Sequence, residues 1–313
     1  MIVLENFFQS LIAGLLIGSL YGLMCVGLGL IFGLMRVINF AQGEFLMLGM
    51  YGAFYVFSWF GLSGILGPVL AALVSSLFSF GLGWIIHQFL LSNSTGRAVA
   101  GTEGDGHYQQ LILTLGVSLV LANGALLVFG NLPLSIRTPY ASQAWELGPL
   151  ADDGMLMFFF NQARVMALVA AVVITGATYL FISRSRIGKT LRAAADNPDA
   201  ATYMGIDVTR AHRISFSLGV AITAIAGGLV ASYYPFQPYI GLEFVVIMYA
   251  GVVLGGLGSI MGPFWGGLII GIVQQLSALV LPMQLQNGTI FVLFLLVILF
   301  RPQGLFGKNV ERV

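Results

Sequence analysis

The amino-acid sequence predicts an all-α integral membrane protein, a polytopic bundle of about 8–10 transmembrane or re-entrant helices. Of its 313 residues, 58% are hydrophobic and only 8% are charged, whereas a soluble domain carries roughly 25% charged residues. The apolar runs are long and continuous rather than alternating, which disfavours a closed β-barrel. The 41 glycines are typical of transmembrane helices whose backbones approach one another closely.

Net charge and cysteine content further narrow the classes of protein to which the chain can belong. A net charge of +1 gives no indication of a nucleic-acid partner, and the basic residues are placed where they set membrane topology. The single cysteine, Cys25, excludes an intrachain disulfide and is predicted to be a small packing residue. Glu5, rather than a lysine or arginine, precedes the first apolar run, so we expect no cleavable signal segment.

The first half of the chain contains four apolar segments. Residues 7–33 are long enough to cross a bilayer of ~30 Å with some tilt. Residues 34–51 are interrupted by polar side chains, and a second span continues to residue 60. The third span covers residues 65–91 and the fourth covers residues 111–130, with a flexible cytoplasmic loop predicted between them at residues 92–110. The connector at residues 131–162 contains one basic residue, Arg137, which predicts an external location.

The second half is predicted to add spans at residues 163–183, 214–234, 244–257, 263–281 and 290–300. Two of these are short and bounded by glycine or proline, which is typical of broken or re-entrant helices. Four crossings after residue 213 place the C-terminal tail on the same side as the basic loop that precedes them. Counting the crossings backwards from the basic loop places the N-terminus outside. Only weak similarity relates the two glycine-rich halves.

The loop at residues 184–213 is the longest polar interval between two apolar segments. It holds six of the thirteen lysines and arginines, so we expect it on the cytoplasmic side. Inside it, Pro198 and Gly205 bracket a predicted helix of about two turns, with Asp196 or Asn197 as its N-cap. Such a helix is suited to contact a cytosolic partner. An ordinary solvated connector is the alternative interpretation.

Polar residues at the start of the second span are candidates for a transport pathway. Asn39, Gln42 and Glu44 are costly to bury unless they pair or meet water, and Gly43 lies on the same helical face as Asn39. The alternative is a set of helix-to-helix hydrogen bonds that closes a packing interface. Arg36 is predicted to snorkel at the cytoplasmic edge, and Glu243 either caps the helix that follows it or lines an outer vestibule.

An enzymatic function finds little support. The three histidines are far apart and have no metal-ligand spacing, so no metal site is predicted. Gly188-Lys189-Thr190 resembles the end of a phosphate-binding loop, but Ser183 occupies the position of the required first glycine and no strand precedes it. No cofactor is therefore predicted in this chain.

Several motifs together resemble a known family. RVINFAQGEF (36–45) closely resembles the N-terminal hallmark of permease subunits of branched-chain amino acid ABC importers, with Gln42 where relatives often have histidine. The resemblance continues through QLILTLGVSL (110–119), GKTLRAAADNPDAATYMGI (188–206) and VLGGLGSIMGPFWGG (253–267). Within the third motif, DAATYMG (199–205) resembles the EAA-x-x-x-G signature of ABC-importer permeases, with aspartate in place of the first glutamate. Residues 92–108 look longer than expected for relatives.

The resemblance implies a single permease domain over residues 1–313 in the bacterial inner (plasma) membrane, working by alternating access. It implies a second homologous permease subunit, two cytosolic ATPase subunits that bind ATP and Mg, and a periplasmic or external solute-binding protein, all in contact with membrane lipid. The coupling segment would comprise Asp196, Asn197, Pro198, Asp199, Ala200, Ala201, Tyr203, Met204 and Gly205.

The substrate is left open by the sequence. Branched-chain amino acids are the family's usual substrate, and urea, short amides and aromatic acids are alternatives. From another class, a secondary transporter or a channel is the rival, and Glu44 is the only acidic residue near the first spans that could serve ion coupling.

Overall fold

The computed structural model describes residues 2–92, 105–141, 143–148, 157–256, 258–301 and 303–307. Within these ranges the chain forms eleven α-helices and one two-stranded hairpin. The helices are α1 (Ile2–Met35), α2 (Gln42–Trp59), α3 (Gly67–Ile86, continued by a π-helical turn, His87–Leu91), α4 (Asp105–Phe129), α5 (Gln162–Arg184), α6 (Arg186–Asp196), α7 (Pro198–Tyr203), α8 (Val208–Val230), α9 (Gly241–Gly255), α10 (Gly262–Ser277) and α11 (Met283–Phe300). The strands are β1 (Ala144–Leu147) and β2 (Phe158–Asn161).

The predicted all-α membrane bundle is confirmed. Five helices are long and apolar enough to cross a membrane, namely α1, α3 with its π-helical turn, α4, α5 and α8. The other apolar helices, α2 and α9–α11, are shorter, whereas the sequence predicts only two short spans, both in the second half of the chain. Together with the long helices they make nine apolar helices among the described residues, which agrees with the predicted range.

Helices α1 and α8 form the centre of the bundle and run antiparallel. Gly27 lies against Gly219 and Thr223, while Ile31 lies against Gly219. A Cβ atom on either glycine would overlap the carbonyl oxygen of the other. The two backbones therefore touch directly, which is possible only because neither residue has a side chain. Cys25 is fully buried in α1 beside Gly251, which confirms its prediction as a packing residue.

Each central helix is flanked by one antiparallel neighbour. α10 packs on α1, with Gly271 and Gly267 against Gly18 and Gly22, and α3 packs on α8. α3 and α10 both begin with a Gly-Pro pair whose proline occupies the first turn, where its missing N–H leaves no helical bond unmade.

Helices α2 and α9 begin inside the bundle instead of at its ends. α2 runs alongside α8 in the same direction, and α9 runs alongside α1 in the same direction, so the two are antiparallel to each other. They meet at their first turns, where a Cβ on Gly43 would fall on the carbonyl of Gly241. The triplets α1–α2–α3 and α8–α9–α10 thus run in opposite directions and meet at equivalent glycine pairs, which is the arrangement of an inverted repeat.

The hairpin was not predicted, because residues 131–162 show only turn-rich sequence. β1 and β2 pair antiparallel, with Trp145 opposite Phe160. Gln9 near the start of α1 donates a hydrogen bond to the Phe159 carbonyl at 2.8 Å, and the Ile136 N–H donates to the Ala231 carbonyl beyond the end of α8 at 2.9 Å. These contacts place the connector, the start of α1 and the end of α8 at one end of the bundle.

Two sequence-based predictions about the loops are wrong. The loop at residues 184–213 was expected to contain one short helix, but it contains two, and α6 precedes the predicted one. α6 was missed because its polar face dominates its composition, while Gly188, Leu191 and Ala194 form a narrow buried face. The predicted loop at 92–110 is too long, since α4 begins at Asp105; residues 93–104 lie outside the described residues.

Candidate translocation site and coupling helix

Asn39 and Gln42 form a buried hydrogen-bond network near the middle of α8. The Asn39 Nδ2 donates to Gln42 Oε1 at 2.8 Å, and Asn39 Oδ1 accepts from the Ala41 N–H at 3.1 Å. The Gln42 Nε2 donates to the carbonyl of Gly219 at 3.3 Å and to the hydroxyl of Thr223. Both ends of the Gln42 amide are therefore bonded within the protein.

The segment between α1 and α2 brings these side chains into the bundle. Arg36 ends α1 with a φ of 54°, a left-handed conformation that reverses the chain. Its side chain is exposed, as predicted for a residue at the membrane edge. The following residues lead back into the bundle, so α2 starts with polar side chains that are buried in the protein.

Gly43 and Glu44 lie where α2 and α9 meet. Gly43 is in backbone contact with Gly241, and the Glu44 carboxyl carbon lies 2.9 Å from the position that a Cβ on Gly241 would occupy. Glu44 is only 1% exposed, and its Oε1 accepts a hydrogen bond from Ser118 at 3.3 Å. Glu243, also in the first turn of α9, is exposed and makes no side-chain cap to that helix.

α4 presents a polar stripe to this junction. Gln110, Thr114 and Ser118 are spaced four residues apart and are all buried, so they share one helical face. The Phe40 N–H donates to Thr114 Oγ1 at 3.4 Å, and the Thr114 hydroxyl lies 3.4 Å from the Ile38 carbonyl. The opposite face of α4 is exposed and apolar. α4 is thus attached to the bundle mainly at the segment that carries the candidate pathway residues.

The structure brings Asn39, Gln42, Gly43 and Glu44 together. The predicted helical face shared by Asn39 and Gly43 is wrong, because α2 begins only at Gln42 and Asn39 lies in the non-helical segment before it. All four are buried. Their lining of a pathway stays a prediction. Thr223, Ser118 and Gly241 complete the cluster and were missed, because single small or hydroxyl residues in apolar spans are too common to single out.

The predicted helix in the basic loop is confirmed. α7 begins at Pro198, and the Asn197 side chain accepts the Ala200 N–H at 2.9 Å, so Asn197 is the N-cap rather than Asp196. After its last turn, Gly205 has a φ of 78°. The Gly205 N–H donates to the Thr202 carbonyl and the Ile206 N–H donates to the Ala201 carbonyl, both at 2.9 Å. These two bonds define a Schellman motif.

α6 and α7 form one connected unit joined to the membrane helices. Asn197 is both the residue after α6 and the cap of α7. Gly188 packs against the backbone of Ile182 in α5, and Arg192 donates to the Ser183 carbonyl at 3.0 Å. A short path of direct contacts therefore connects α7 to α5.

The tip of this unit exposes two large apolar side chains. Tyr203 and Met204 are 89% and 82% exposed. Asp199 and Ala200 are exposed beside them, whereas Ala201 is buried against the bundle. An exposed tyrosine and methionine on a capped helix outside the apolar spans are typical of a contact surface.

In the residues that the structure describes, no cluster suited to a metal ion occurs and the phosphate-loop-like sequence is part of a helix. No group of three histidine, cysteine, aspartate or glutamate side chains is suited to hold a metal ion there. The Gly188-Lys189-Thr190 sequence lies in α6 directly after helix α5, not after a strand.

Comparison with known proteins identifies the family. Residues 10–300 match the model of the family described as branched-chain amino acid transport system / permease component. The chain is 30% identical to the high-affinity branched-chain amino acid transport system permease proteins BraD of Pseudomonas aeruginosa and LivH of Escherichia coli, with 98% of both chains covered in each case. It is 24% identical to the probable branched-chain amino acid transport permease protein LivH of Methanocaldococcus jannaschii, covering 94% of this chain and 91% of that one.

No solved structure matches the chain. The family match covers nearly the whole bundle, including both halves of the inverted repeat and the α6–α7 unit. The chain belongs to the family of permease components of branched-chain amino acid transport systems.

Proposed function

We propose that this chain is a membrane-spanning subunit of an ATP-driven importer for branched-chain amino acids in the bacterial inner membrane. The observation that carries the proposal is the capped α7 helix with its exposed tip, in a chain whose full-length relatives are named as branched-chain amino acid permeases. Such a subunit needs a rigid element outside the membrane through which an ATPase can act.

In the importer, this chain works with four further kinds of component. A second homologous permease completes the membrane domain, two cytosolic ATPase subunits bind ATP and Mg, an external solute-binding protein delivers substrate, and lipid surrounds the exposed apolar faces of α4 and α11. This division of labour agrees with a chain whose phosphate-loop-like sequence, Gly188-Lys189-Thr190, lies within α6 and does not follow a strand.

The mechanism is alternating access within a single permease domain, residues 1–313. The coupling segment lies within residues 184–213 and docks through Asp196, Asn197, Pro198, Asp199, Ala200, Ala201, Tyr203, Met204 and Gly205. Closure of the ATPases displaces α7, and α6 passes this displacement to α5 through the Arg192 and Gly188 contacts. The half-helices α2 and α9 then separate at Gly43 and Gly241, which opens a path beside Asn39, Gln42 and Glu44.

Uptake by the complete importer in liposomes tests this function. The two permeases and the ATPases are reconstituted, and leucine-loaded binding protein is added outside with ATP inside. We expect ATP-dependent leucine accumulation that requires the binding protein. Import of urea or an aromatic acid in place of leucine would contradict the substrate assignment, and accumulation that needs an ion gradient but no ATP would favour a secondary transporter.

A further inference from the structure

Glu44 is a buried carboxylate that the surrounding protein only partly satisfies. Oε1 accepts one hydrogen bond, from Ser118, while Oε2 is enclosed and has no partner among the described residues. An ionised carboxylate can accept about four hydrogen bonds. Burying one of its oxygens without a partner is unfavourable, so the junction holds an acceptor that a cationic donor would satisfy.

The described part of the chain supplies no such cation. Ser118 is the one polar side chain that interacts with Glu44, and no lysine, arginine or histidine of the described residues contacts it. The neighbouring Gln42 amide does not help, because it is already bonded to Asn39, Gly219 and Thr223. An acidic residue at membrane depth without a basic partner indicates a functional group rather than a packing element.

The surroundings of Glu44 also suit the other charge of an amino acid. α2 and α9 both begin beside it, at Gly43 and Gly241. The first turn of a helix carries partial positive charge, and broken helices in transporters direct such ends at anionic substrate groups near the membrane midplane. One point in the bundle therefore combines an unpaired carboxylate with two helix beginnings, which complements a zwitterion.

We propose that Glu44 accepts the α-ammonium group of the transported solute as it passes the α2–α9 junction, with Ser118 holding the carboxylate in place. The inference rests on the proposed import function and narrows it to solutes that carry a protonated primary amine. An ammonium donor to a carboxylate forms a short, charge-assisted hydrogen bond. Urea, neutral amides and aromatic acids without an amine lack this donor.

The first test is Glu44→Gln in the complete reconstituted importer. Glutamine keeps the size of the side chain and an oxygen for Ser118, so a purely structural role predicts unchanged uptake. The ammonium contact predicts leucine uptake per assembled complex lower by about tenfold or more, with complex yield unchanged. Glu243→Gln is the matched control, because Glu243 occupies the first turn of the other half-helix but is exposed; we expect it to transport normally.

The second test uses the unaltered importer, so it stands even where Glu44→Gln fails to assemble. An apolar carbodiimide is added to the membranes, and the modified carboxyl is located by peptide mass spectrometry. We expect modification at Glu44, and less of it during turnover with leucine-loaded binding protein than with unloaded binding protein. Equal modification under both conditions would overturn the proposal.

The remaining outcomes separate this inference from the proposed function. Normal leucine import by the unaltered importer together with equal import by Glu44→Gln would overturn the inference alone. Import of a solute without an amine at a rate comparable to that of leucine would do the same. ATP-independent uptake that follows a sodium or proton gradient would contradict the proposed ATP-driven import as well as the inference. Absence of any binding-protein-dependent import of leucine, isoleucine or valine would overturn the proposed function and the inference with it.

Discussion

Buried glycines determine how closely the helices of this bundle approach at single residues. Gly241 shows this most clearly, because an added Cβ would lie 2.7 Å from the carbonyl carbon of Gly43 and 2.9 Å from the Glu44 carboxyl carbon. The Gly43 carbonyl belongs to the backbone and cannot move away as the end of a flexible side chain could. The half-helix junction therefore depends on glycine for space, since α9 begins there with an ordinary helical backbone.

Gly241→Ala is expected to destabilise the permease. Overpacking of a close-packed site costs about 1–3 kcal/mol, so the apparent melting temperature and yield of the detergent-solubilised complex should fall. Gly116→Ala in α4 is the control, because nothing lies within 4 Å of a Cβ there and alanine favours a helix by about 1 kcal/mol over glycine. Equal stability of the two variants would show that α2 and α9 are not in contact at this point.

At the residue scale, replacing Gln42 tests whether its side chain lines a pathway or only packs the bundle. Gln42→Leu removes the donor to Gly219 and Thr223 and the acceptor for Asn39, and each buried partner left without a bond costs about 1–3 kcal/mol. Some loss of yield is expected, and the pathway assignment adds a fall of about tenfold in uptake per surviving complex. Yield and uptake are measured on one preparation, with the exposed Gln237→Leu as the control. Lost assembly with unchanged uptake per surviving complex would leave packing as the only role.

At the scale of elements, α7 depends on its two ends. Gly205→Val should uncouple transport, because a φ of 78° strains any residue with a β-branched side chain. No atom lies within 4 Å of a Cβ at this position, so the variant alters the backbone of the helix end and not the packing of the bundle. We expect normal assembly with reduced ATP hydrolysis in response to loaded binding protein. Normal stimulation and normal uptake would rule out coupling through this helix end.

The sequence predicts elements well where one physical signal dominates. α7 was located by an asparagine cap, a proline in the first turn and a glycine after the last, and each acts within a few residues. The long spans follow from apolar length alone. α6 was not found, because its buried face depends on contact with α5, and the hairpin was not found, because its strands of four residues are separated by ten others.

The candidate site was predicted in part for the same reason. Asn39, Gln42 and Glu44 stand out as polar residues in an apolar run, and the structure does place them together. Their partners on α4, α8 and α9 are separated from them by about seventy to two hundred residues of chain. Only the folded chain shows which hydroxyl or glycine faces which polar group.

At the scale of the whole molecule, the inverted repeat explains why the two helices α2 and α9 begin inside the bundle. Gly27 with Gly219 and Gly43 with Gly241 are contacts between corresponding points of the two triplets, so each triplet contributes one central helix and one half-helix. At these points backbone meets backbone, while fully buried side chains such as Leu23, Met24 and Met248 pack around them. Transporters built from inverted repeats alternate between two openings by movement of one repeat against the other.

The same arrangement determines which loops face each side of the membrane. The hairpin connector contacts the start of α1 and the end of α8, whereas α7 lies next to the start of α8, at the opposite end of that helix. Basic residues are concentrated around α7, where six occur between residues 184 and 213, and basic loops stay in the cytosol. The hairpin and α7 are therefore expected on opposite sides.

Cysteine labelling on intact cells tests this orientation. Glu146 in β1 and Asp199 in α7 are both exposed, so a cysteine at either position can react with a maleimide that does not cross membranes. Glu146→Cys should be labelled in intact spheroplasts, and Asp199→Cys only after permeabilisation. The unaltered chain is the blank, because its one cysteine, Cys25, is fully buried. Labelling of both variants from the same side would place α7 and the hairpin on one face and would contradict the crossing of α5, which is the helix that connects them.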